Sequence, residues 1–126
     1  MELLVKLGLV ELALGGLTGW AMVLMIEKPD WLKRHGVRAP GRIRQWHLDY
    51  ILMGLILVAV GLAVPDLPGA IAVALAFGAY VNPTLFLPLA FRPEVQERLW
   101  YRALTAVSFL AMSGSLVAAA AYGLQA

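Results

Sequence analysis

Four long apolar stretches alternate with short polar ones along the 126 residues of this chain. They run from about Leu3 to Ile26, Trp46 to Val64, Ala70 to Phe91 and Leu99 to Gly123. Each is close to the ~20 residues with which a helix crosses ~30 Å of hydrocarbon. Unbroken apolarity over that length predicts helices and not strands, because a lone helix satisfies its own backbone groups inside a bilayer. Pro65-Asp66-Leu67-Pro68-Gly69 predicts a tight turn, since two prolines and a glycine do not continue a helix. Residues 92–98 form a short polar loop. The expected fold is an all-α, integral membrane four-helix bundle, with residues 1–126 as a single domain.

Composition agrees with that pattern. The chain is 61% apolar and 14% charged, where a soluble domain carries about 25% charged residues. It has no cysteine, which excludes disulfides, zinc–thiolate sites, iron–sulfur clusters and thiol nucleophiles. The first stretch is not expected to be a signal peptide, because Glu2 and Lys6 precede an apolar run too long for one.

The charges set the orientation. Lys28, Lys33, Arg34, Arg38, Arg42 and Arg44 lie in the loop of residues 27–45, and Arg92, Arg98 and Arg102 lie around the third loop. Both loops fall on one side of a four-span chain, and the opposite side holds Lys6 alone. The positive-inside rule then places the loops in the cytoplasm and both termini outside, in a bacterial inner membrane. The net charge of +2 is read as this topology signal, and no nucleic-acid partner is expected. Trp20, Trp31, Trp46 and Trp100 lie near the same side, as an interfacial belt would. Gly15-x-x-x-Gly19 and Ser113-Gly114-Ser115 mark surfaces where helices could approach closely.

Few residues can carry chemistry. His47 opens the second stretch, and an imidazole at the edge of hydrocarbon needs a partner or a ligand. On a helix it shares a face with Tyr50, Ile51, Gly54, Val58 and Gly61. That face could bed a planar group held by His47, or it could seat a neighbouring helix. Asn82-Pro83 should kink the third span near Ala79, and Pro88 repeats the perturbation. Asn82 could bond another helix or face a substrate. Glu11 is the deepest acid and is expected to be protonated or paired, with Tyr80, Asn82 or a serine of the fourth span as candidate partners. Asp49 points away from His47 and reads as a helix cap. The basic loop could pair with lipid phosphates or other anionic groups. His35 reads as a solvated loop residue. No phosphate loop, HExxH or serine-nucleophile motif is present.

The run His47-Leu48-Asp49-Tyr50-Ile51-Leu52-Met53-Gly54-Leu55, with Val60-Gly61-Leu62, Pro65-Asp66-Leu67 and Tyr80-Val81-Asn82, resembles the second and third spans of styrene oxide isomerase and hydroxylaminobenzene mutase. The resemblance covers roughly residues 44–91. It implies a homotrimer with haem b between subunits, His47 as the axial ligand to iron, and ferric haem acting as a Lewis acid on an epoxide. It further implies that Gly54 and Arg44 border the haem, and that Met53, Asn82 and Phe86 stand near a small apolar substrate. Two positions depart from the family pattern: Met53 stands where it has asparagine, and Phe86 where the isomerase has tyrosine. The function expected is therefore a haem-b-binding, isomerase-like membrane protein. The rival expectation is a small cofactor-free scaffold or partner subunit.

The topology reading is tested by a reporter fused to the C-terminus. It should report an external location in intact cells, and a cytoplasmic reading would overturn the assignment.

Overall fold

A computed structural model describes residues 1–125, and the described residues contain helices and no strand. The helices are α1 (Glu2–Glu27), α2 (Pro29–Arg34), α3 (Gly41–Ala63), α4 (Gly69–Thr84), α5 (Phe86–Phe91) and α6 (Leu99–Gln125). A 3₁₀ turn covers Pro93–Glu97. Four segments are long and apolar enough to cross a membrane, namely Glu2–Glu27, Gly41–Ala63, Gly69–Phe91 and Leu99–Gln125. The chain is an all-α integral membrane bundle. Leu17, Trp20, Leu62, Val73, Leu110 and Val117 project outward, as side chains solvated by lipid do.

The helices pair as α1 with α3 and α4 with α6, and α3 packs on α4 to join the pairs. Lipid tails are as apolar as leucine, so association must come from close packing and polar contacts. Small residues supply the first. A Cβ on Gly8 would fall 2.8 Å from the Gly54 carbonyl oxygen and 2.9 Å from the Val58 nitrogen. A Cβ on Gly54 would meet the Gly8 oxygen and the Leu12 nitrogen, each at 3.0 Å. Gly15 lies under Ile51 and Tyr50, and Gly61 under Val5. The predicted Gly15/Gly19 step therefore packs within the protomer. In the other pair, Gly78 lies against Met112, a contact the sequence pattern did not single out, whereas Gly114 faces open space.

Several boundaries differ from expectation. The second span begins at Gly41, not Trp46, so Arg42 and Arg44 lie in its first turns and His47 sits inside a helix. Asp49 is two turns past the N-cap, which is Pro40, so it caps nothing. The 27–45 loop contains α2, and His35 is its C-cap residue, stacked on Trp31 at 4.0 Å. The third span is interrupted at Leu85, between the two prolines expected to perturb it. Pro88 has no N–H for the Thr84 carbonyl, just as Pro83 has none for Ala79, and the two losses end α4 there. Trp46 is not a belt residue: it packs beside Ile43, Leu32 and Ala90, and its Nε1 is buried without a partner.

Polar bonds tie the ends. Arg38 and Ala39 N–H groups donate to the Ala90 oxygen at 2.8 and 3.0 Å, fastening the basic loop to α5. At the opposite end Tyr122 donates to Asp66 at 3.0 Å.

Gly54→Ala is expected to cost about 1–3 kcal/mol, because its methyl group must push apart the backbones of α1 and α3. Gly16→Ala, which meets nothing within 4 Å, should be neutral or stabilising by up to ~1 kcal/mol. Unfolding of both variants in mixed micelles measures the difference.

Candidate functional site

His47 projects from α3 against α1, where Gly19 makes room for it. A Cβ on Gly19 would stand 3.3 Å from the imidazole Cε1. Nδ1 lies 2.7 Å from the Gly15 carbonyl oxygen and 3.0 Å from Thr18 Oγ1. A carbonyl only accepts, so Nδ1 carries a proton and donates it. Thr18 gives its own hydroxyl proton to the same carbonyl at 2.7 Å. In the neutral ring Nε2 is then bare, with a lone pair and no protein partner among the described residues. The His47 side chain is partly exposed at the protomer surface. A backbone carbonyl on one ring nitrogen is the usual way in which a histidine ligand is oriented.

The other expected haem contacts divide. Arg44 is exposed on α3 one turn before His47, outside any ion pair among the described residues. Gly54 is a correction: α1 covers it, with Leu12 Cγ 2.9 Å from where its Cβ would be. No planar group fits there, because the glycine face of α3 seats a helix.

Met53, Asn82 and Phe86 do come together. They line a cavity of about 190 Å³ with Asp49, Leu85, Tyr101, Thr105 and Phe109. The cavity lies between α3, the α4–α5 break and the first half of α6. Ser108 donates to Asn82 Oδ1, which fixes the amide and leaves its N–H₂ free. Asn82 is thus bonded to another helix, as one expectation had it, and also lines the cavity. Tyr101 donates to the Leu85 oxygen at 2.7 Å, satisfying a carbonyl at the helix break.

This cavity is not beside His47. Asp49 and Met53 are two and six residues beyond His47, about 200° and 240° around the helix at ~100° per residue. Imidazole and cavity therefore occupy different faces of α3 in one protomer. Asp49 was not expected to belong to the site; its spacing of four from Met53 was the available signal.

Glu11 is fully buried and neither carboxyl oxygen has a protein partner. Its expected partners are engaged elsewhere: Tyr80 donates to the Leu7 oxygen at 2.5 Å, and Ser108 donates to Asn82. Glu11 is not an interhelical bond in this protomer. Among the described residues no three His, Asp or Glu side chains gather as a cage for a bare metal ion. A porphyrin brings four nitrogens of its own, so one imidazole is enough for haem.

No family model matches the chain, and neither a curated protein nor a solved structure resembles it closely enough to register.

Glu11→Met replaces an unpartnered buried acid with an apolar side chain of similar length. It should raise stability by about 1–3 kcal/mol, the desolvation cost of an unsatisfied polar group. A loss of stability on denaturant titration would mean that Glu11 is bonded after all.

Proposed function

We propose that the chain is a haem-b-binding membrane protein of the isomerase-like kind, acting on a small, largely apolar substrate. One observation carries this reading. The His47 imidazole is held through Nδ1 by a backbone carbonyl, and its Nε2 has no protein partner among the described residues on a partly exposed side chain. The residues present fit the group: His47 would hold the iron, and Arg44 would pair with the haem carboxylates. Bound there, ferric haem supplies a Lewis acid able to polarise an epoxide oxygen.

The rest of the site is assigned to the cavity. Asn82 offers its free N–H₂ to a substrate oxygen, while Met53 and Phe86 enclose the apolar body. Since His47 and the cavity face different ways in one protomer, this reading needs a second copy to bring a cavity to the imidazole. The homotrimer implied by the resemblance would do so. The proposed orientation places both termini outside a bacterial inner membrane.

The protein should purify with a Soret band, and His47→Ala should abolish it while the variant still elutes as a folded species. A colourless wild-type protein that takes up no added haemin would overturn the reading and leave a cofactor-free membrane subunit. Loss of the band on His35→Ala alone would also overturn it, because the ligand would then lie in the basic loop.

A further inference from the structure

Two acids lie within the membrane-spanning helices away from their ends, Glu11 on α1 and Asp49 on α3, and neither is in an ion pair among the described residues. Lys6, the basic residue nearest Glu11 on α1, pairs with Glu2 at 3.0 Å, while Arg42 and Arg44, in the first turns of α3, form no ion pair with Asp49. Negative charge in hydrocarbon without a counter-charge is costly. A cation beside such an acid relieves that cost.

The cavity wall has the matching chemistry. Asp49 is its only charged side chain. The two hydroxyls on the wall have both spent their protons, Tyr101 on the Leu85 oxygen and Thr105 on the Tyr101 oxygen at 2.8 Å. What remains of them is acceptor capacity. The Asn82 amide is the one donor left, since Ser108 fixes its oxygen. Phe86 and Tyr101 present aromatic walls, and Phe109, 62% exposed, stands at the rim. Aromatic rings around a carboxylate form the kind of surface that recognises an ammonium ion. Met53 and Leu85 leave room for an apolar body and nothing polar beyond it.

We propose that this cavity binds a small organic ammonium ion, with Asp49 as counter-ion and Phe86, Tyr101 and Phe109 around the cationic head. The inference concerns the same cavity that the haem reading gives to its substrate, but it needs neither iron nor a second copy.

Calorimetry on the purified full-length chain tests it, with benzylammonium chloride as probe and benzyl alcohol as its neutral counterpart. Wild-type protein should bind the ammonium saturably and the alcohol at least about tenfold more weakly, the scale of a hydrogen bond to a charged group. Asp49→Asn should erase that preference, and Phe86→Leu should weaken ammonium binding by about two- to fivefold. Met53→Trp, which fills the cavity and leaves the charge in place, should abolish binding of both probes. Wild-type protein prepared without haem should bind ammonium equally well, so that a failure of the haem reading leaves this result standing. Equal affinity for the two probes in the wild-type protein overturns the proposal without recourse to any variant. So does full ammonium binding by Asp49→Asn or by Met53→Trp, or its absence from haem-free wild-type protein.

Discussion

The contact of α1 with α3 through glycine is the constraint on which the other arrangements depend. No hydrophobic drive holds helices together in lipid, so two backbones must come close enough to interact directly. Gly8, Gly15, Gly54 and Gly61 permit that approach, and each would collide with its neighbour if it carried a Cβ. The register that results sets Gly19 beneath His47 and brings the Gly15 carbonyl to 2.7 Å from Nδ1. The imidazole is thus oriented by helix packing rather than by a dedicated acidic partner. Covering one face of α3 with α1 also leaves its other face, with Asp49 and Met53, to line the cavity.

Polar side chains in the bundle fall into two groups. Thr18, Thr84, Thr105, Ser113 and Ser115 return their protons to carbonyls of their own helices. Others cross between segments, among them Tyr80 to Leu7, Tyr101 to Leu85, Ser108 to Asn82, and Tyr50 to Thr84 at 2.9 Å. Tyr50 must be the donor there, because Thr84 has already given its proton to Tyr80. None of these bonds involves Glu11 or Asp49. Acids that add no such bond and carry a desolvation cost are poor structural elements, and a ligand at Asp49 would give that residue a physical role.

The spans were legible because a bilayer imposes one length and one composition on every crossing helix. The opposed faces of His47 and Asp49 were legible too, from spacing alone. The start of α3 was not. Arg42 and Arg44 look like loop residues to a hydropathy reading, yet a helix can extend past the hydrocarbon into the headgroup layer. Gly54 was ambiguous in sequence, since a flat face suits a neighbouring helix and a planar ligand equally well. Only the position of Leu12 and Gly8 decides for the helix. The partners of Glu11 were misjudged for a related reason. Hydrogen bonding depends on rotation about each helix axis, and Tyr80 turns its hydroxyl to the Leu7 carbonyl instead.

The two departures from the isomerase pattern gain a physical meaning from the cavity. On that resemblance, positions 53 and 86 would carry an amide and a phenol, two donors suited to holding an epoxide oxygen. Met53 and Phe86 remove both. The cavity keeps one amide donor at Asn82, while Asp49, Tyr101 and Thr105 contribute acceptors. The hydrogen-bonding sense of the wall is thereby reversed, from giving protons to an oxygen toward receiving them from a ligand. An ether oxygen has no proton to offer the Asp49 carboxylate, whereas an ammonium head offers both protons and charge. Selection between the two therefore rests on Asp49 rather than on cavity size, because a wall of Phe86, Met53 and Leu85 accepts either apolar body equally.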